Sequence, residues 1–185
     1  MALLVGILAL ALPYSARADL KEWTVAVAPT YAVTYADSRT ANGGGFALDV
    51  GFGLSDALSL HASGNLSWHQ ADATKTQASG VLSGFTALLS LNYTLDVIRL
   101  VPSFDLGLGV IGLRGDAAFG SSTAAAGVEK PLTGLCLALG FQLDYLLTRH
   151  VAVGVEVRYH VALTDADRLP MYLYTGPRVI FHFGG

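Results

Sequence analysis

Eight segments of the chain place large apolar side chains at every second position, and this alternation constrains the fold more than any other feature. A period of two is typical of β-strands, because successive side chains of a strand point to opposite faces. Within these segments, every charged residue lies on one face and the other face carries none. The pattern predicts strands over Trp23–Tyr35, Gly45–Leu54, Leu58–His69, Val81–Leu95, Ile98–Val110, Gly134–Tyr145, Val151–Leu163 and Met171–Phe183.

The charge-free face indicates the environment of these strands. A soluble barrel keeps its apolar residues inside and its charges outside. A charge on the lipid-facing surface of a membrane barrel costs about 2–4 kcal/mol at the bilayer midplane, so an apolar face without charges predicts contact with lipid. The opposite face is rich in Gly, Ala, Ser and Thr, which suits a narrow lumen. We therefore predict an all-β fold, an eight-stranded antiparallel up-and-down transmembrane β-barrel.

Composition excludes the main alternatives. The chain is 52% hydrophobic and 14% charged, whereas soluble domains are about 25% charged. A spanning helix needs roughly 20 apolar residues, and the one long apolar run, Met1–Pro13, is shorter. The net charge is −3 and no basic cluster occurs, which argues against a nucleic-acid partner. Cys136 is the single cysteine, so neither an intrachain disulfide nor a CxxC motif is possible.

The first 18 residues have the features of an export signal. Leu3–Leu12 is an apolar core of the right length, and Ala16-Arg17-Ala18 resembles a signal-peptidase cleavage site. We expect a cleaved signal peptide over residues 1–18 and a barrel domain over residues 19–185, beginning at Asp19.

The segments between the strands alternate in length. Short turns on the periplasmic side and longer loops outside are typical of outer-membrane barrels, and they predict that both chain ends are periplasmic. The short connections are Ser55–Ala57, Asp96–Val97 and Leu146–His150. The long ones are Ala36–Gly44, Gln70–Gly80, Ile111–Thr133 and Thr164–Pro170.

Aromatic residues on the apolar face provide a second indication of this orientation. In that topology they fall into two membrane-interface belts, as expected for a barrel in a bilayer. The periplasmic belt consists of Trp23, Tyr93, Tyr145, Phe181 and Phe183, and the external belt of Tyr35, Phe46, Trp68 and Tyr159.

From Trp23 to Phe183 the chain resembles the small eight-stranded outer-membrane barrels of Gram-negative bacteria, the OmpA, OmpX and OmpW-like group. Its last strand closes with Val179–Phe183, which is similar to the C-terminal signal read by the outer-membrane assembly machinery. The resemblance implies a monomeric integral protein of the cell outer membrane, surrounded by outer-membrane lipids and lipopolysaccharide. It implies a non-enzymatic structural or surface-interaction role in the envelope, or alternatively a narrow channel for small or apolar solutes, as in OmpW-like proteins.

The charged residues on the inward face form the candidate site. They predict either a plug of paired charges or a polar conduit, and we favour the plug because buried charges are tolerated when paired. If Leu163 and Met171 face each other across the last loop, Glu156 lies opposite Arg178. The predicted lumen charge network is Asp49, Arg99, Asp105, Asp144, Glu156, Arg158 and Arg178.

The sequence predicts no catalytic, cofactor-binding or metal-binding site. His61, Ser63 and Asp49 all point inward on one hairpin and could form a hydrolase constellation. Polar residues meet by default in a narrow lumen, so we favour a structural role for them. The lipid-facing positions contain no His, Asp or Glu, which makes a lipid-modifying enzyme less favoured still.

Overall fold

The computed structural model describes residues 21–36, 39–71, 80–95, 99–115, 132–164 and 171–184. Eight antiparallel strands, each paired with the next along the chain, close into one barrel as the alternation predicts. The expected signal peptide over residues 1–18 lies outside the described residues. The strands are β1 (Trp23–Ala36), β2 (Arg39–Gly53), β3 (Leu58–Ala71), β4 (Gly80–Thr94), β5 (Leu100–Gly115), β6 (Leu132–Leu146), β7 (Val151–Ala162) and β8 (Met171–Phe183).

Pairing between β1 and β8 closes the barrel. Trp23 pairs with Phe183 at one end of this ladder, and Tyr35 pairs with Met171 at the other. Closure lets the strands satisfy one another's backbone polar groups, which the hydrocarbon of a bilayer requires. In the described part of the chain, no helix is long and apolar enough to cross a membrane.

The two faces of the barrel differ as the sequence predicts. On the outward face, Phe46, Leu66 and Leu108 expose 66%, 58% and 60% of their surface. On the inward face, side chains such as Ala32 and Asn65 are buried. Apolar groups therefore cover the outside, and small and polar groups fill the lumen.

The barrel has two distinct ends. At the turn end, the bends over residues 54–57 and 147–150 connect neighbouring strands, and both β1 and β8 have their terminal residues there. The first bend is tight, because the amides of Leu54 and Ser55 both donate to the carbonyl of Leu58, at 2.8 and 3.0 Å. At the loop end, β1–β2, β3–β4, β5–β6 and β7–β8 are connected. The predicted loop over residues 115–127 lies almost entirely outside the described residues.

Strand β2 begins at Arg39, six residues before the predicted start at Gly45. The predicted loop Ala36–Gly44 is therefore mostly strand. A Cβ at Gly43 would lie 2.6 Å from the Cα of His69, and one at Gly45 would lie 2.8 Å from the Cα of Ser67. Glycine at these inward positions lets β2 and β3 approach closely. Because glycine has no side chain, this part of β2 shows no alternation of large and small residues, and the sequence did not predict it as strand. Strand β5 likewise extends to Gly115, which adds the exposed Arg114 to the outward face at the loop end.

The register between β7 and β8 differs from the predicted one by two residues. Met171 pairs with Val161, whereas the symmetric loop implied Leu163. Residues after Ala162 turn to β6 instead, because the Leu163 amide donates to the Leu135 carbonyl at 2.7 Å. The Leu135 amide in turn donates to Thr164 Oγ1 at 3.0 Å.

Glu156 consequently pairs with Gly176, so the predicted position directly opposite Arg178 is wrong.

Candidate functional site in the barrel lumen

The Arg158 side chain occupies the centre of the lumen and is 1% exposed. From β7, its guanidinium donates to Ser63 Oγ on β3 at 2.7 Å and to Asp105 Oδ2 on β5 at 3.0 Å. Asp49 Oδ2 on β2 lies 3.8 Å from the same group. In a ring of eight strands, β3 and β7 are diametrically opposite, so the bond to Ser63 crosses the full width of the lumen. We refer to Arg158, Ser63, Asp105 and Asp49 as the central layer.

Gln142 on β6 extends the central layer toward the turn end. Its Nε2 donates to Asp105 Oδ2 at 3.1 Å, and its Oε1 accepts from Ser103 Oγ at 3.1 Å and from Asn92 Nδ2 at 3.4 Å. A Cβ at Gly140 would lie 2.6 Å from Asp105 Oδ1, so this glycine provides the space that the carboxylate occupies. The central layer is thus connected to two further strands, β4 and β6.

A second charged cluster lies between the central layer and the turn end. Arg178 Nε is 3.4 Å from Asp144 Oδ1, and Arg178 Nη1 is 3.6 Å from Glu156 Oε2. The ion pair between Glu156 and Arg178 therefore forms diagonally, despite the shifted register. Nearer the chain ends, His182 Nδ1 is 3.2 Å from Glu22 Oε1.

Arg99 is the one predicted lumen charge that lies outside a strand. Strand β5 begins at Leu100, one residue later. The Arg99 carbonyl accepts from the Leu146 amide at 2.9 Å, and the residue is partly exposed at the turn end. The structure therefore brings six of the seven predicted charges into the two charged layers and leaves Arg99 at the rim.

Neutral polar side chains fill the lumen between the central layer and the loop end. Tyr172 Oη donates to Asn65 Oδ1 and, at 3.0 Å, to Ser67 Oγ. Ser67 Oγ is also 2.8 Å from His69 Nε2. The rings of His69 and His160 flank Tyr172, at centroid distances of 5.8 and 5.3 Å.

His61 is held between a hydroxyl and a carboxylate. Its Nε2 is 2.8 Å from Ser59 Oγ, and its Nδ1 is 2.5 Å from Asp49 Oδ1. The hydroxyl that the sequence suggested for this group, Ser63, bonds to Arg158 instead. The His61, Ser63 and Asp49 constellation therefore does not form, and Ser59 takes the place of Ser63.

The aromatic residues predicted for the two interface belts lie near the ends of the barrel, with one exception. Phe46 is the middle residue of β2, because this strand begins at Arg39. It pairs with Pro29 on β1 and does not lie at the external end where the shorter predicted strand put it. The residues near the turn end are Trp23, Tyr93, Tyr145, Phe181 and Phe183, and those near the loop end are Tyr35, Trp68 and Tyr159.

Several residues of the lumen network carry no charge and were not predicted. Gln142, Asn92, Ser59 and Tyr172 all have inward parity in their strands, so the alternation that located the charges also locates them. Which partner each one selects depends on side-chain reach across the lumen, which the sequence pattern does not contain. Within the described strands and turns, no group of three or more His, Cys, Asp or Glu side chains could hold a metal ion.

A family model described as outer membrane protein β-barrel domain matches residues 2–172. No curated protein matches the chain.

Solved structures resemble the barrel closely in fold. Neisserial surface protein A, NspA, is 15% identical with a TM-score of 0.68, and the match covers 87% of this chain and 97% of that one. OprG from Pseudomonas aeruginosa is 13% identical with a TM-score of 0.64, over 93% of this chain and 100% of that one. Ail of Yersinia pestis, in complex with the heparin analogue sucrose octasulfate, is 13% identical with a TM-score of 0.59, over 88% and 99%. At these identities, the likeness concerns the fold alone.

Proposed function

The chain belongs to the outer membrane protein β-barrel family, and on that premise we propose that its lumen is sealed and that its role is structural or surface-interacting. The resemblance to small outer-membrane barrels is confirmed by the family match and by the fold of NspA and OprG. The protein is thus an outer-membrane barrel, and the open question is whether solutes pass through it.

The bond between Arg158 and Ser63 is the observation that carries the proposal. It joins opposite walls at 2.7 Å, and Asp105 and Asp49 approach the same guanidinium from two other strands. A side chain bonded to both walls narrows the lumen at its height, which supports a sealed barrel.

The outward surface supports the same role. It presents apolar side chains to the bilayer, with lipid and lipopolysaccharide as its surroundings. We propose that residues 1–18 direct export and are cleaved, and that the assembly machinery recognises β8, which ends in Phe181 and Phe183. The barrel is then monomeric and integral to the outer membrane.

The surface-interaction part of the proposal concerns the loop end. Ail, one of the structural neighbours, bears the name attachment invasion locus protein, and its crystal holds a heparin analogue. In a barrel with a sealed lumen, the loops between strands are the parts available to external partners. We propose that any such partner binds there.

Ion conductance in planar bilayers tests the sealed lumen. We expect the wild-type barrel to show no steady conductance and Arg158→Ala to conduct. The opened lumen should prefer cations, because Asp49, Asp105, Asp144 and Glu156 would then face Arg178 alone in the described charged layers. Arg114→Ala is the matched control, since Arg114 is exposed at the loop end, and it should remain closed. Steady conductance by the wild type would instead support the narrow channel.

A further inference from the structure

The Ser59, His61 and Asp49 side chains form a hydroxyl–imidazole–carboxylate relay that extends from the turn-end side of the lumen to Asp49 in the central layer. Ser59 Oγ is 2.8 Å from His61 Nε2, and His61 Nδ1 is 2.5 Å from Asp49 Oδ1. These atoms connect in the order that activates a serine nucleophile: the hydroxyl on one ring nitrogen and the orienting carboxylate on the other.

The surrounding residues fit the imidazole closely. Gly51 pairs with His61 across β2 and β3, and a Cβ there would lie 2.8 Å from His61 Nε2. A glycine at this position therefore lets the ring lie flat toward Asp49. The carboxylate of Asp49 is itself held near the Arg158 guanidinium, at 3.8 Å. The ring orientation is thus fixed from two sides.

A serine that reacts with a substrate must be accessible. Exposure increases along the relay from Asp49 to Ser59. His61 and Asp49 are buried, with 7% and 4% exposure, whereas Ser59 is half-buried. Ser59 is the second residue of β3, next to the bend over residues 54–57 at the turn end. Along the barrel, Ser59 therefore lies nearer the turn end than the central layer does.

A donor for a developing oxyanion lies across the next strand pair. Asn92 on β4 pairs directly with Ser59, and directly opposed side chains of neighbouring strands have Cβ atoms about 5 Å apart. Asn92 Nδ2 makes one long bond, 3.4 Å to Gln142 Oε1. Side-chain amides serve as oxyanion donors in acyl-transfer sites.

We propose that this relay is a serine esterase site that hydrolyses short-chain carboxylic esters entering from the turn end. Ser59 Oγ attacks the ester carbonyl carbon and passes its proton to His61 Nε2, and the oxyanion is held by Asn92 Nδ2. The bond to the leaving alcohol breaks as the alcohol takes that proton. Water then attacks the acyl-serine through His61, releases the carboxylic acid and returns the proton to Ser59.

The inference departs from the sequence-based prediction of a non-enzymatic protein. That prediction considered Ser63, which Arg158 occupies, and the structure provides Ser59 instead. The inference does not rest on the sealed lumen, because Ser59 lies on the turn-end side of Arg158. A soluble ester rather than a membrane lipid is the substrate class, since Ser59 faces the lumen.

A second serine–histidine pair on β3, Ser67 and His69, provides a control for the proposed site. Ser67 Oγ is also 2.8 Å from His69 Nε2, the same distance and the same spacing of two residues. That pair is fully buried, and His69 Nδ1 has no side-chain acceptor. It therefore reproduces the hydroxyl–imidazole contact without the carboxylate and without access.

The test uses the folded full-length barrel in detergent, with folding verified by its heat-dependent shift on gels. A fluorophosphonate probe located by mass spectrometry should label Ser59 and leave Ser67 unmodified. Hydrolysis of p-nitrophenyl acetate should fall at least about 100-fold in His61→Gln, the lower end of the range for losing a general base. It should fall by no less in Ser59→Ala, which lacks the nucleophile. Ser67→Ala should retain the wild-type rate. Absence of labelling in the folded wild type, or hydrolysis by folded Ser59→Ala at the wild-type rate, would overturn the proposal.

Discussion

The buried Arg158 side chain contacts residues of three other strands, Ser63, Asp105 and Asp49. Its guanidinium is the nearest cation to Asp105 and lies within 3.8 Å of Asp49. Buried charges are stable only when paired, because transfer out of water costs several kcal/mol for each ion. In the proposed sealed lumen, the same residue therefore blocks the passage and neutralises two carboxylates.

Replacing Arg158 by Leu should strongly destabilise the barrel. Two carboxylates would remain buried without their cation, and breaking a buried pair in this way typically costs about 3–5 kcal/mol. Urea unfolding in detergent or lipid vesicles measures this loss. Arg114→Leu, at an exposed position, should leave the free energy of unfolding nearly unchanged. Equal losses for the two variants would show that the central layer carries no net stabilisation.

Arg178 and Glu156 should contribute unequally to the free energy of unfolding. Arg178 serves both Asp144 at 3.4 Å and Glu156 at 3.6 Å. Arg178→Ala leaves two carboxylates without a cation, whereas Glu156→Ala leaves Arg178 with one partner. We expect both variants to lower the free energy of unfolding, Arg178→Ala by more, and the double variant to lose less than the sum. A coupling free energy of about 0.5–3 kcal/mol is the expected range for residues in contact. Strictly additive losses would contradict the diagonal ion pair.

At the scale of the strands, glycine determines how closely β2 and β3 approach. Gly43 and Gly44 are neighbours in sequence but point to opposite faces. A Cβ at inward Gly43 would lie 2.6 Å from the Cα of His69, whereas one at outward Gly44 would meet only the Thr30 carbonyl at 3.6 Å. Replacing each glycine by alanine removes a glycine in both cases, but it creates a steric conflict only at Gly43. Comparison of the two variants therefore isolates the effect of the steric conflict.

Gly43→Ala should lower the free energy of unfolding by about 1–3 kcal/mol, the usual range for forcing extra atoms into a packed site. Gly44→Ala should be close to neutral, because its methyl group makes ordinary contact. Urea unfolding of the two variants against the wild type is the measurement. Should Gly43→Ala prove neutral, β2 would not pair with β3 over Gly43 and Gly45.

The alternation predicted the strands best where side chains are large. Both ends of β8 agree with the prediction, because Met171, Leu173, Phe181 and Phe183 mark its outward face throughout. The start of β2 was missed because Gly43, Gly44 and Gly45 offer no side chains to alternate. The β7–β8 register was missed because loop length does not reveal that Thr164 bonds to β6.

The sequence predicted which residues line the lumen, but it did not predict which of them bond to each other. Alternation within the predicted strands places Asp49, His61 and Arg158 on the face opposite the large apolar side chains, and this identified them as inward residues. That Ser63 bonds to Arg158 while Ser59 bonds to His61 depends on reach across the barrel. Such distances follow from closure and tilt of the whole sheet, which no single strand encodes.

For the whole molecule, the lengths of the connections predict its orientation in the membrane. Epitope tags inserted within residues 116–127, between β5 and β6, should be detected by antibody on intact cells. A tag at Asp56, in the bend between β2 and β3, should become detectable only after the outer membrane is permeabilised. The reverse pattern would place the turn end outside the cell and contradict the topology.

Cys136 is a natural reporter of whether the lumen is sealed, because it is the chain's single cysteine, points inward and has 0% exposure. The most direct measurement is its reaction with a small charged methanethiosulfonate in the native wild-type barrel. A sealed and packed lumen predicts no modification in the folded protein and complete modification after denaturation. Modification of the folded barrel at the rate of the denatured chain would show that the lumen on the loop-end side of Arg158 is filled with water, and it would contradict the packed lumen.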